Sequence, residues 1–138
     1  EMAQTPLISL KDTIRTNEVV ELYRANEWSS AKKPTELMAA LRNSHSLVTA
    51  RIGKRLIGLG NAISDGHLVV YYPHMLVHPD YQRAGIGKKM MRELIEKYSD
   101  FHQQMLTADA EAADFYQALG FERAGRTIPM WIYAGDEH

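Results

Sequence analysis

The sequence predicts an α/β (α+β) fold: one domain over residues 1–138, with a mixed central β-sheet and helices on both of its faces. Three observations support this prediction. Short apolar strands joined by turns come first, strand–helix–strand–helix units follow them, and the chain length suits one domain that buries roughly two-thirds of its unfolded surface.

The individual elements follow from the spacing of apolar residues. Residues 7–10 are predicted to form a strand, 17–25 and 34–44 helices, and 47–52 and 56–63 two strands around the turn Gly53-Lys54. Asp65-Gly66 indicates a hairpin that leads into a long strand at 68–77. A helix at 85–98, a strand at 104–108, a helix at 111–119 and two short strands, near Phe121 and at 130–133, complete the prediction.

Composition excludes several classes of function. A hydrophobic content of 45% and a charged content of 24% are ordinary for a globular protein, and a net charge of −1 provides no long-range attraction to nucleic acid or an anionic membrane. No apolar run approaches the roughly 20 residues of a membrane span, and the N-terminus lacks a signal-peptide pattern. We therefore expect a cytoplasmic protein with neither nucleic acid nor membrane as a partner.

Cysteine is absent, which removes disulfides, thiolate metal sites and a cysteine nucleophile. His74 and His78 lie four residues apart on an extended segment, where they are separated by about 13 Å. We therefore expect no metal site.

The most informative segment runs from Val77 to Lys88 and reads VHPDYQRAGIGK. It leaves an apolar strand, crosses a short loop and enters a helix through two glycines. Amides at a helix start are unpaired donors in a positive dipole field, and glycine lets a ligand approach them closely. The pattern therefore predicts a binding site for the phosphates of a cofactor.

Two other phosphate-binding motifs do not fit the same residues. When the Gly-Lys of a P-loop is aligned on Gly87-Lys88, Gln82 replaces its first glycine and Lys89 replaces its hydroxyl residue. A dinucleotide-binding fingerprint requires a third glycine where Met90 stands. Both comparisons argue against a nucleotide-binding domain.

A second motif, DAEAADFYQALGF, covers residues 109–121. Ala112, Phe115 and Leu119 share one helical face, and Gly120 suits the left-handed position that ends a helix. Together, Gln-x-x-Gly-x-Gly and this segment resemble the GNAT N-acetyltransferase superfamily over about residues 47–133. The sequence departs from many relatives at Asp109, where they carry Asn.

The resemblance implies that acetyl-CoA is the cosubstrate and that a short helix carries a catalytic Tyr, here Tyr116. The residues it implies for cofactor binding are Leu76, Val77, Gln82, Arg83, Ala84, Gly85, Ile86, Gly87, Lys88 and Phe115. Amides from Arg83 through Lys88 would bind the pyrophosphate, and Leu76 and Val77 would meet the pantetheine on a strand that, in the family, splays from its neighbour.

The predicted reaction is direct transfer of an acetyl group to a primary amine of a small molecule or peptide. Tyr116 either protonates the leaving thiolate or only packs beneath the cofactor. The general base is unassigned: His74 titrates near neutrality, but the family often uses a water chain to a distant carboxylate. A module that binds acyl-CoA without turnover is the alternative function.

The acceptor side is predicted from aromatic residues. Trp28, Tyr71 and Tyr72 are expected to shape an apolar slot for a small aryl or alkyl amine, and His74 is the fourth residue predicted on the substrate side. Alternation along the strand at 68–77 places Tyr72, His74 and Leu76 on one face. The apolar segment at 130–133 favours a homodimer.

Overall fold

A computed structural model describes residues 5–135 of the chain. The strands are β1 (Leu7–Ser9), β2 (Ser46–Ile52), β3 (Arg55–Ser64), β4 (Val69–Tyr71), β5 (Met75–Val77) and β6 (Gln103–Met105). The helices are α1 (Thr16–Ala25), α2 (Pro34–Arg42), α3 (Ile86–Lys97) and α4 (Ala113–Gln117), with 3₁₀ turns at Ser29–Lys32, Pro79–Tyr81 and Ala110–Ala112.

The six strands form one mixed sheet. The strand order is β1-β2-β3-β4-β6, and β5 pairs with β3 beside β4. Every pairing is antiparallel except that of β4 with β6, which is parallel and follows the crossover through α3. The predicted mixed sheet is confirmed.

Helices cover both faces of this sheet, because each presents an apolar stripe. On one face, α1 and α2 bury residues such as Leu22, Leu37 and Leu41. On the other face, α3 buries Met90 and Leu94 against β2 and β3. The predicted α/β class is confirmed, with two apolar cores separated by the sheet.

The long strand predicted at 68–77 is divided into β4 and β5 by Pro73, which has no N–H to donate. Tyr71 pairs with Ile63, and Met75 pairs with Gly60. Four steps along this strand therefore oppose three steps along β3. The additional residue makes the break a β-bulge.

The bulge reverses which face each side chain takes. Tyr72 packs in the α3 core, whereas Leu76 packs in the core under α1 and α2. His74 also lies on the α1 side, with its ring against Tyr23. The prediction that Tyr72, His74 and Leu76 share one face was wrong, because strict alternation holds only along an uninterrupted strand.

The two predicted C-terminal strands, near Phe121 and at 130–133, do not form in the structure. Residues 121–134 run outside the sheet, with Ile128, Met130, Trp131 and Ile132 strongly exposed. A strand requires a neighbour to receive its peptide hydrogen bonds, and no strand of the described residues pairs with this segment. Apolar alternation alone was an insufficient signal.

Candidate active site

A gap opens in the sheet beside β5. Strand β4 lies between β3 and β6, but β6 ends at Met105, opposite Tyr71. Strand β5 continues beyond that point and pairs only with β3 among residues 5–135. One edge of β5 is therefore open, and the splay expected from the family resemblance is present.

Alternate residues of β5 turn their peptide groups into this gap. The carbonyl of His74 and the N–H of His78 both form hydrogen bonds with β3. Leu76 lies midway between them, so its peptide groups face β3 as well. Met75 and Val77 consequently face the gap. Of the two residues predicted to meet pantetheine, Val77 is well placed, while Leu76 is buried and its peptide groups face the sheet.

Gln82 connects the gap to the end of α1. Its Nε2 donates to the carbonyl oxygen of Val77 at 2.9 Å and to Oδ1 of Asn26 at 3.3 Å. Asn26 ends α1 and donates from Nδ2 to the carbonyl of Leu22. The first residue of the glycine motif thus ties the loop before α3 both to β5 and to the α1–α2 connection.

The start of α3 forms the expected donor cluster. Arg83 and Gly85 adopt left-handed backbone angles, with φ of 67° and 80°, and no side chain caps the helix. Lys89 donates to the carbonyl of Gly85, so the amides of Ile86, Gly87 and Lys88 have no acceptor within the helix. The preceding segment 82–85 is exposed. Free amides at a helix start attract anions, and we call these three amides the anion site.

The second motif meets this anion site at Gly87. A Cβ atom added to Gly87 would lie 3.4 Å from Cζ of Phe115 and 3.8 Å from Cγ2 of Val77. Helix α4, the open strand β5 and the first turn of α3 therefore converge on one point. The structure thus brings together three groups of predicted cofactor residues, represented by Phe115, Val77 and Gly87.

Tyr116 is half-buried beside this convergence. Its ring contacts Phe115 and Phe121 edge-on, with centroid distances of 4.9 and 5.9 Å. Burial, and secondarily the negative charge of Asp109, raise the pKa of the Tyr116 phenol above its ordinary value. The phenol is therefore protonated at neutral pH and can serve as a proton donor.

On the opposite side of the sheet, two of the predicted acceptor residues meet. The rings of Trp28 and His74 lie 5.1 Å apart, and each also contacts the buried Tyr23. The Tyr23 hydroxyl and Nδ1 of His74 are 2.8 Å apart. Sequence reasoning missed Tyr23, because a tyrosine on the apolar face of an amphipathic helix is indistinguishable from a core residue.

Tyr72 does not belong to the acceptor side, and its predicted role was wrong. It is 4% exposed in the α3 core, and its hydroxyl donates to Oε1 of Gln104 at 2.6 Å. Tyr71 is 40% exposed and pairs across the sheet with Ile63 and Met105, which are also exposed. The predicted apolar slot is therefore divided between two places, with Trp28 in one and Tyr71 in the other.

Two concave regions flank the site. A groove of about 870 Å³ lies beyond α4 and includes Tyr116, Leu106, Phe121 and Ile128 among its lining residues. A smaller hollow of about 360 Å³ lies at the α1–α2 connection, lined by Arg24, Glu27, Trp28, Ser29, Ala31 and Lys32. Within residues 5–135, no three metal-ligating side chains cluster and no helix is long and apolar enough to cross a membrane.

Comparison with known proteins identifies this arrangement. The family model for the acetyltransferase (GNAT) domain matches residues 11–129. A solved GNAT-family acetyltransferase from Streptococcus pneumoniae TIGR4 is 28% identical, with a TM-score of 0.82 over 94% of this chain and 98% of that one.

Curated relatives agree with that match over shorter stretches. The chloroplastic GCN5-related N-acetyltransferase 2 of Arabidopsis thaliana is 41% identical over 73 residues, which are 50% of this chain and 28% of that protein. The N-acetyltransferase ycf52 of Gracilaria tenuistipitata var. liui is 37% identical over 70 residues, which are 49% of this chain and 38% of that protein. The chain thus spans less than two-fifths of either relative.

Proposed function

We propose that this chain, which belongs to the GNAT acetyltransferase family, transfers the acetyl group of acetyl-CoA to a primary amine on a small molecule or a peptide. One observation carries the proposal. The free amides at the start of α3, the open edge of β5 and the ring of Phe115 converge at Gly87. These features fit the pyrophosphate and the amide-bearing arm of CoA.

The chain's own residues would hold the donor in two ways. The amides of Ile86, Gly87 and Lys88 would bind the pyrophosphate, supported by the helix dipole and by the positive charge of Lys88. The peptide groups of Met75 and Val77 would bond to pantetheine in the manner of an added strand. The thioester would then lie toward the bulge, away from the anion site.

Transfer would proceed directly from thioester to amine, since the sequence has no cysteine to form a thioester intermediate. The amine nitrogen attacks the carbonyl carbon, the new C–N bond forms and the C–S bond breaks. The departing thiolate takes the proton of the Tyr116 phenol, the attacking nitrogen loses its extra proton to water, and the phenolate recovers a proton from solvent. The raised pKa keeps the Tyr116 phenol protonated until the negative charge on the sulfur develops.

The acceptor would enter from the side of α1 and α2. The hollow at the α1–α2 connection has Trp28 in its wall, and the Trp28 ring lies against the ring of His74 at the bulge. The exposed row of Ile63, Tyr71 and Met105 offers further apolar contact. These features support an amine with an apolar portion as the substrate class.

The decisive experiment measures CoA thiol release with acetyl-CoA and a panel of amines, for the wild type and for Tyr116→Phe. We expect turnover with at least one amine and a loss of roughly 10²–10⁴ in kcat for the variant, with acetyl-CoA affinity unchanged. Tyr98→Phe is the matched control, because its hydroxyl bonds to His45 and Ser46 outside the cleft. Acetyl-CoA binding without thiol release from any amine would favour the sensor module instead.

We also propose that the protein forms a homodimer through its C-terminal segment. Met130, Trp131 and Ile132 are 91%, 75% and 105% exposed, and an apolar groove lies open beside β6. Burying such side chains between two copies would stabilise the pair. Light scattering at micromolar concentration tests the proposal: we expect twice the chain mass for the wild type and a reduced mass for Ile132→Lys. A monomeric wild type would contradict it.

A further inference from the structure

The contact between Tyr23 and His74 determines where the imidazole carries its proton. Tyr23 is fully buried, and its hydroxyl oxygen lies 2.8 Å from Nδ1 of His74. In the part of the chain that the structure describes, no buried side-chain nitrogen or oxygen lacks a hydrogen-bond partner. This hydrogen bond therefore satisfies the buried Tyr23 hydroxyl, and the chemistry of the two groups decides which of them is the donor.

A phenol has one hydrogen to donate. If Nδ1 of His74 carried the ring proton, it would donate to the Tyr23 oxygen, and the phenolic hydrogen would be left buried without an acceptor. Burial also raises the pKa of Tyr23 far above its ordinary value, so the phenol does not ionise to avoid this. The stable arrangement has Tyr23 donating to Nδ1, which leaves the proton of the neutral ring on Nε2.

The location of this pair connects it to the reaction. His74 lies in the bulge and immediately precedes Met75, whose peptide groups face the gap. Its ring is 5.1 Å from that of Trp28, in the wall of the hollow at the α1–α2 connection. The ring therefore lies where β5, the gap and the acceptor side meet.

We propose that Tyr23 is a positioning residue that keeps Nε2 of His74 protonated, so that His74 donates a hydrogen bond to an oxygen of the acceptor molecule and does not act as the general base. The inference rests on the proposed acetyl transfer for its functional part, but the location of the proton stands independently. It favours acceptors that carry a hydrogen-bond-accepting oxygen near the reacting nitrogen. The proton lost by the amine then leaves through water.

The location of the proton is tested by long-range ¹H–¹⁵N NMR of the histidine rings, at a pH where His74 is neutral. The His74 signals are assigned by their loss in His74→Gln. We expect a protonated Nε2 and an unprotonated Nδ1 in the wild type, and a mixture of the two forms in Tyr23→Phe. A wild-type ring protonated on Nδ1 would overturn the inference, whether or not the protein acetylates any amine.

The functional part is tested by comparing His74→Gln with His74→Ala. A glutamine amide keeps an N–H donor near the position of Nε2 but cannot act as a base. We expect kcat/KM for the amine to fall about tenfold in His74→Ala, the worth of one hydrogen bond, and to be largely retained in His74→Gln, with KM for acetyl-CoA unchanged. Equal losses in the two variants would overturn the donor role, since a general base is worth about 10²–10⁴ and neither residue replaces it.

Discussion

Adding one methyl group at either motif glycine should separate folding from cofactor binding. Gly85 has a φ of 80° and open space around its Cα, whereas Gly87 has helical geometry and points toward Phe115 and Val77. Gly85→Ala therefore introduces backbone strain without a steric clash. Gly87→Ala introduces atoms into the place where the two motifs meet, without backbone strain.

The two substitutions should affect the free energy of unfolding differently. Alanine in the left-handed region costs about 1–2 kcal/mol, so Gly85→Ala should lower the free energy of unfolding by that amount. In a domain of this size it should lower Tm by roughly 4 °C per kcal/mol. Gly87→Ala should leave stability unchanged or raise it by up to about 1 kcal/mol, because alanine is the better helix former and the 3.4 Å contact with Phe115 is tolerable.

For the affinity for acetyl-CoA, Gly87→Ala should have the larger effect and Gly85→Ala the smaller one. The new methyl of Gly87→Ala lies between Phe115 and Val77, where it narrows the passage from the anion site to the open edge of β5. We expect the Kd for acetyl-CoA to rise at least tenfold, which corresponds to about 1.4 kcal/mol. Gly85→Ala should have the smaller effect on Kd, since its methyl points into open space.

Urea unfolding of the free protein and calorimetric titration with acetyl-CoA measure the two effects separately. Gly125→Ala is the matched control, because Gly125 also has a left-handed φ, of 59°, with nothing near a Cβ, but lies outside both motifs. It should lose stability like Gly85→Ala while its Kd stays at the wild-type value. A folded Gly87→Ala protein with wild-type affinity would refute the assignment of the cofactor site.

Two further substitutions test charge effects. Asp109→Asn removes a negative charge that raises the pKa of Tyr116, so the alkaline limb of kcat should move to lower pH; a pH–rate profile that coincides with the wild type would contradict the acid role of Tyr116. Arg51→Met removes the hydrogen bond that lowers the pKa of Glu18 and also leaves Asp12 without its ion-pair partner. A lowered pKa of Glu18 stabilises the fold at pH values above the pKa that this carboxyl has in the unfolded chain. The variant should therefore be less stable by about 1–2 kcal/mol at neutral pH. That difference should shrink as the pH falls below about 4 and on through the lowered pKa of Glu18, and urea unfolding at several pH values measures it.

Features that depend on local backbone geometry were predictable from the sequence. The strand–loop–glycine–helix order specified the free amides at the start of α3 and the left-handed Gly85, because both follow from neighbouring residues alone. Gly120 likewise ends its helical segment with a φ of 102°. The apolar faces of α2 and α3 were also predictable, since their burial follows from helical spacing.

Features that depend on partners distant in the chain were not predictable from the sequence. The bulge at Pro73 arises from the register of β4 and β5 on β3, and it alone decides that Tyr72 enters one core while His74 faces the other side. The prediction of two C-terminal strands failed for a related reason, because a strand exists only where a neighbouring strand accepts its hydrogen bonds.

The sequence by itself therefore determined the fold class, the glycine-containing loop that enters α3 and the identity of Tyr116 as a candidate acid, because each follows from residues a few positions apart. Only the tertiary structure decided what surrounds the acceptor. Tyr23 and His74 are 51 positions apart, and their hydrogen bond exists because α1 packs over the bulge of the sheet. A side chain's protonation form depends on its partner in space, and chain spacing carries no signal for that.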